Sequence, residues 1–268
     1  MKWVQTVFLL LCLLPLDAVA GEFLAKQLRH SRVRSAYQAK AKSVEAEFRR
    51  ANAQWPPSNL LLRNFKLEGR LELWSASKNN TQILVKVRTF PVCANSGVLG
   101  PKLQSGDRQV PEGIYYLNRF NPRSSYHLSL GLNYPNAVDK HRSQGLDPGG
   151  DIFVHGDCVT IGCLPLRDGP MEELYIAAIA ARDNGQKRIS AHMFPCRFGT
   201  HACEAALERQ ETNHAKLWRT LRTVHNLFNE KRQIPWVRVH SKGSYTVRGQ
   251  ALASPSRPTR SRAQLLFP

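Results

Sequence analysis

The hydrophobic period of this chain changes near residue 60, from three-and-four to two, and that switch sets a mainly β middle behind a helical start. Before it, Leu24, Leu28, Tyr37, Ala41, Val44 and Phe48 fall mostly three or four apart, on one stripe of a helix whose other faces carry Arg and Lys. Trp55-Pro56-Pro57 is expected to end that helix. After the switch, Leu71 and Leu73 alternate with polar neighbours, Lys78-Asn79-Asn80 supplies turn residues, and Ile83, Val85 and Val87 alternate again, which reads as a β-hairpin. Further strands are expected at Gly113 to Leu117, at Tyr126, Leu128, Leu130 and Leu132, at Ile152 to Val154, and at Ile189 to Phe194. One helix interrupts them, opened by Gly169-Pro170 with Glu172 and Glu173 in its first turn, where carboxylates suit the dipole. Another follows Thr200, with Leu217, Leu221, Val224 and Phe228 as its core stripe. The fold class is therefore mainly β with flanking helices, an α+β protein.

A chain of 268 residues can bury a core without obligatory staples. After the first twenty residues no apolar run approaches the roughly 18 needed to span a bilayer, which excludes a polytopic membrane protein and any stable membrane span. Hydrophobic residues at 42% against 22% charged exclude a wholly disordered chain. Residues 1–20 read as a secretory signal peptide: Met1-Lys2, the short apolar stretch Trp3 to Leu14, then Pro15 and Ala18-Val19-Ala20, with cleavage expected after Ala20. Losing Lys2 and Asp17 leaves the charge at +18, so the mature chain is a cation outside the cytosol, suited to acidic polymers or anionic surfaces rather than to nucleic acid. The expected organisation is signal peptide 1–20, N-terminal helix and linker 21–58, catalytic domain 59–200, helical extension 201–240 and flexible basic tail 241–268, the last without an acidic residue.

Without Cys12, five cysteines remain: Cys93, Cys158, Cys163, Cys196 and Cys203. An odd number in an oxidising compartment leaves at least one thiol free. Cys196 and Cys203 are close enough to close a small disulfide ring. The segment with chemical potential comes after the strand Ile152-Phe153-Val154: His155-Gly156-Asp157-Cys158-Val159-Thr160-Ile161-Gly162-Cys163. A neighbouring imidazole takes the proton of a thiol whose pKa is near 8.5 and so makes it a nucleophile toward carbonyls. His155 is the candidate base, and Gly162 lets the chain turn sharply so that the Cys163 amide and Thr160 can face an oxyanion. Spacing alone leaves open a metal set of His155, Cys158 and Cys163, a Cys158–Cys163 redox pair, and two buried thiols beside a hydrogen-bonded histidine.

The segment resembles the L,D-transpeptidase catalytic domain of the YkuD type, whose motif of His-Gly followed by Ser/Thr-x-Gly-Cys is matched by His155-Gly156 and Thr160-Ile161-Gly162-Cys163. The resemblance is broadest to the YafK-like branch. It runs through Val110-Pro111-Glu112-Gly113-Ile114-Tyr115, Asn121-Pro122 to Ser124, Tyr126, Leu128-Ser129, Tyr134-Pro135-Asn136 and His155-Gly156-Asp157-Cys158, and spans about residues 65 to 235. It implies a β-sandwich-like catalytic domain acting on peptidoglycan stem peptides in the periplasm or cell envelope, with envelope proteins linked to peptidoglycan as further partners and no metal or other cofactor. By this resemblance Cys163 is the nucleophile and His155 the proton carrier. Gly162 and Thr160 belong to the oxyanion pocket, and Tyr126, Tyr134 and Arg167 are candidate substrate contacts. Cys163 attacks at the L-centre of diaminopimelate and forms a thioester, which an amine or water then resolves; the alternatives are a hydrolase of a crosslink or protein linkage and a non-catalytic envelope-binding protein. Two features depart from the family pattern. Only seven residues separate His155 from Cys163, and Leu164-Pro165-Leu166-Arg167 replaces an arginine two residues after the cysteine.

Overall fold

The computed structural model describes residues 21–210 and 214–248; the expected signal peptide, its cleavage point and residues 249–268 of the basic tail lie outside the described residues. The N-terminal stripe forms two helices rather than one, α1 (Glu22–Leu28) and α2 (Ser31–Arg50), because His30 is extended (φ −81°, ψ 123°) and interrupts the ladder without any Pro or Gly. The start of α1 is tied down by Asp183, whose carboxylate accepts the Gly21 and Leu24 amides at 2.9 Å each. On α2, Val33, Ala36, Val44 and Phe48 are buried, as their spacing requires. The helix stops before Trp55. Asn52 takes the left-handed conformation (φ 55°), so the Asn52 and Ala53 amides turn back to the Arg49 and Phe48 carbonyls in a Schellman cap.

Eight strands form one curled mixed sheet. They are β1 (Leu61–Phe65), β2 (Arg70–Ala76), β3 (Leu84–Pro91), β4 (Gly113–Asn121), β5 (Ser129–Leu132), β6 (Phe153–His155), β7 (Leu164–Pro165) and β8 (Ile189–Phe194), in the order β3-β2-β1-β8-β4-β5-β6-β7. The β1–β8 and β6–β7 pairs are parallel and the rest antiparallel. The α+β expectation holds, with the strands concentrated in the middle of the chain. The alternation from Tyr126 to Leu132 yields a strand only from Ser129, since His127 sits at φ 64° and breaks the extended chain.

Every residue of β1 is buried, so both faces of the sheet are covered. On one face Leu62, Leu71, Leu130 and Val154 share a core with α2 and with α4 (Asp168–Asp183), whose Met171, Leu174, Tyr175, Ile176 and Ile179 are wholly buried. Burying one such Leu or Ile side chain contributes roughly 1.5–3 kcal/mol. On the other face Phe65 and Phe194 pack against α6 (Ala215–Lys231) through Leu221 and Val224, with α5 (His201–Glu208) beside them. Arg63 is fully buried in this second layer, its guanidinium 4.2 Å from the Phe228 ring centre, 3.1 Å from Asn229 Oδ1 and 3.6 Å from Glu72. Burial lowers its pKa to about 9.

Small elements complete the fold. α3 (Ala137–Arg142) is opened by a capping box in which Asn136 accepts the Asp139 amide and Asp139 accepts that of Asn136. Residues 241–248, placed in the tail by composition, instead form the turn and second strand of a hairpin, β9 (Val237–His240) with β10 (Ser244–Val247). It is anchored by the Tyr245 hydroxyl, which accepts the Ile114 amide at 3.2 Å and the Asn136 side-chain amide at 3.2 Å.

Candidate active site

The site is built at the β6–β7 edge of the sheet. The parallel register sets Val154 opposite Leu164 and His155 opposite Pro165, so the two strands bring Cys163 beside Phe153 and one strand repeat from His155. The connecting loop is held at its start by two ties. Asp168 accepts the Asp157 amide at 2.9 Å, and Cys158 is bridged to Cys93 at the exit of β3. Near its end Gly162 sits at φ +133°, and a Cβ there would lie 3.1 Å from the Gln109 carbonyl oxygen, so both the backbone angle and the space demand glycine.

Cysteine pairing decides which sulfur is available. Cys93 pairs with Cys158 and Cys196 with Cys203, which leaves Cys163 as the free, half-buried thiol. The short ring is the one expected from spacing. The bridge at Cys158 removes the Cys158–Cys163 redox pair and takes Cys158 out of any metal set, and it corrects the view of Cys158 as a merely buried thiol. Among the described residues no three His, Cys, Asp or Glu groups are placed to hold a metal ion.

The Cys163 sulfur accepts the Phe153 amide at 3.4 Å and lies 3.6 Å from the Asp151 carbonyl oxygen, to which the thiol can donate. His155 is 3% exposed, with its ring centre 4.9 Å from that of Tyr126. Its Nδ1 is 2.5 Å from the Gly156 carbonyl oxygen, which can only accept. The proton is thereby assigned to Nδ1, and Nε2 keeps the lone pair a base needs. Burial pushes the Cys163 thiol up, with the Phe153 amide opposing, and pushes the His155 imidazole down. The resting pair is therefore neutral thiol and neutral imidazole, and a proton must move as the sulfur attacks.

A cleft of about 370 Å³ contains Cys163, His155 and Tyr126 together. Of the other candidates, Thr160 and Gly162 do not leave an open oxyanion pocket. The Thr160 hydroxyl accepts the Gly162 and Cys163 amides at 3.2 and 2.9 Å and donates to the Cys163 carbonyl at 2.8 Å, closing the turn on itself. Tyr134 lies outside the cleft wall, 6% exposed in the main core, with its hydroxyl 3.0 Å from the Pro148 carbonyl and 3.3 Å from that of Lys102. Arg167 is exposed as the N-cap of α4 and also lies off the cleft wall. The sheet instead supplies Arg119 of β4, which pairs with Asp151 at 2.7 Å and stands 4.7 Å over the Phe153 ring. Asn121, Ser124, Ser125 and Ser129 add to the polar lining. Ser124 and Ser129 lay within the motif stretches, whereas nothing in the sequence around Arg119 or Asp151 marks them.

No protein-family model matches the chain. Among curated proteins, it is 31% identical over 193 residues to "Putative L,D-transpeptidase YafK" of Escherichia coli strain K12, covering 71% of this chain and 74% of that protein, with the same values for the protein of that name in E. coli O157:H7. Among solved structures, the helical cell shape determining protein Pgp2 of Campylobacter jejuni aligns with TM-score 0.41 and 16% identity, over 74% of this chain and 80% of that one. Bd1075 of Bdellovibrio bacteriovorus aligns with TM-score 0.39 and 17% identity, over 70% and 79%. At 31% identity across nearly three quarters of the curated relative, with the motif residues His155 and Cys163 in one cleft, the chain belongs to the YafK-like L,D-transpeptidase family.

Proposed function

We propose that this protein is an exported cysteine acyltransferase that acts on peptidoglycan stem peptides in the periplasm. The observation that carries the reading is the shared cleft, in which the free thiol Cys163 stands with His155 while the other four cysteines beyond the leader are bridged. A non-catalytic binder has no need of a thiol kept out of disulfides in the same cleft as an imidazole with one unprotonated nitrogen. Membership of a family named for L,D-transpeptidation supports the substrate class.

In the proposed reaction His155 Nε2 takes the Cys163 proton as the sulfur attacks the carbonyl at the L-centre of diaminopimelate. The imidazolium then returns that proton to the departing amine as the carbon–nitrogen bond breaks, leaving a thioester and neutral His155. An acceptor amine attacks the thioester, its proton passes to His155 and on to the sulfur, and the thiol is restored; with water in that place the product is a free acid. The Gly162 and Cys163 amides reach the oxyanion only if it displaces the Thr160 hydroxyl they now bond.

The test is mass spectrometry of purified muropeptides after incubation with the protein, with and without an added amine acceptor. Wild type is expected to convert diaminopimelate-containing species and Cys163→Ala to leave them intact while remaining folded. Equal conversion by the variant would refute the assignment. A product carrying the added amine marks transpeptidation; its persistent absence with release of free acid marks hydrolysis.

A further inference from the structure

A second groove adjoins the candidate cleft. It lies between α1, the end of β4 with the following turn, and the loop after α4, encloses about 770 Å³, and shares Arg119 and Asn121 with the cleft that holds Cys163. Lys26, Arg119, Arg123, Arg182, Lys187 and Arg188 all line it, and no aspartate or glutamate among the described residues does. Of the carboxylates nearby, Asp183 is turned to the amides at the start of α1, and Asp151 pairs with Arg119 alone, offsetting that one cation of the groove. Arg182 and Arg188 are fixed over the Phe23 and Tyr116 rings. Lys26, Arg123 and Lys187 are exposed, and none of the ion pairs found among the described residues includes them.

Cations gathered within about one Debye length, roughly 8–10 Å, repel one another unless an anion sits among them. The shared wall points to which anion, because Arg119 and Asn121 line both the cleft and this groove, so that a chain extended from Cys163 past them runs toward the cations. We infer that the groove holds the free carboxylates of an acidic peptide whose reacting carbonyl lies at Cys163, with Lys26, Arg123 and Lys187 as positioning residues that set affinity and direction. The inference rests on the acyl-transfer reading above and adds to it the class of the substrate's non-reacting arm.

Equilibrium binding by calorimetry tests it on the full chain carrying Cys163→Ala, which stops turnover. The probes are a diaminopimelate-containing stem tetrapeptide with free carboxylates and the same peptide with its carboxylates converted to carboxamides. The parent is expected to bind the free-acid form about tenfold more tightly. Adding Lys26→Gln, Arg123→Gln and Lys187→Gln together should erase that preference, since three exposed charge contacts of ordinary strength amount to about tenfold. Arg123→Gln alone should cost about twofold, so the inference stays testable if the triple variant folds poorly. In otherwise wild-type protein the triple change should raise KM and leave kcat. Equal affinity for the two peptides overturns the inference. So does a preference that survives the triple change, or charge-dependent binding to phosphatidylglycerol vesicles without discrimination between the peptides. Absence of muropeptide turnover with the preference intact would sink the acyl-transfer reading alone; normal turnover without the preference would sink the groove alone.

Discussion

Replacing Cys93 and Cys158 together by serine should cost the fold about 4 kcal/mol. The bridge joins residues 65 apart in sequence, and in the chain-entropy relation a ring of that size removes about 14 cal/mol/K from the unfolded ensemble, or about 4.3 kcal/mol at 25 °C. Both residues are partly exposed, so serine adds no buried hydroxyl and the loss reflects the crosslink itself. For a domain of this length about 4 kcal/mol corresponds to a fall in Tm of about 10 °C. Urea unfolding followed by tryptophan fluorescence and far-ultraviolet circular dichroism measures both the midpoint and the slope. The midpoint should fall and the slope should rise, because an unfolded chain without the crosslink exposes more surface. Turnover in the proposed reaction should fall as well, since Cys158 anchors the loop between His155 and Cys163. A loss below about 1 kcal/mol with unchanged slope would refute the reasoning and remove the bridge from any account of how the site is held.

Two further predictions concern the reacting residues. Because burial raises the Cys163 thiol and lowers the His155 imidazole, the sulfur is held as the protonated thiol at pH 7. Iodoacetamide alkylation followed by intact mass should therefore accelerate about tenfold per pH unit from pH 7 to 9, and a rate flat from pH 5 to 8 would instead mark a preformed thiolate–imidazolium pair. Thr160→Val, which keeps the shape but leaves the Gly162 and Cys163 amides without the hydroxyl they bond, should destabilise by about 1–3 kcal/mol in chemical denaturation, and Thr160→Ser should restore most of that; equal stability of all three would show that the turn does not depend on this hydroxyl.

What the sequence reveals depends on whether a feature is written locally. The strand from Ile189 to Phe194 and the helix around Gly169-Pro170 were legible because alternation and an early proline act within a few residues of themselves, although the helix starts at Asp168, so that Asp168 rather than Glu172 or Glu173 is the acid of its first turn. The short Cys196–Cys203 ring was legible for the same reason, whereas the Cys93 partner of Cys158 was not, since only the fold brings residues 65 apart together. Tyr126 and Tyr134 sat in equally persuasive motif stretches, yet one ring faces His155 and the other is enclosed by the core. Local sequence carries no sign of which side of a turn is solvent. Thr160 shows the same limit at the scale of one hydroxyl: the residue type fits an oxyanion donor, and only the folded chain reveals that its oxygen already accepts the two amides in question.

The layer formed by Phe65, Phe194 and the Arg63 guanidinium against α6 makes the central strands β1 and β8, on which the rest of the sheet is assembled, dependent on a helix C-terminal to both. A fragment ending at residue 200 would present one whole side of the central strand to water, with an ionised guanidinium stripped of Phe228 and Asn229. The smallest heritable unit of this architecture therefore includes its final long helix. Any graft of the cleft onto another scaffold will have to bring that helix along.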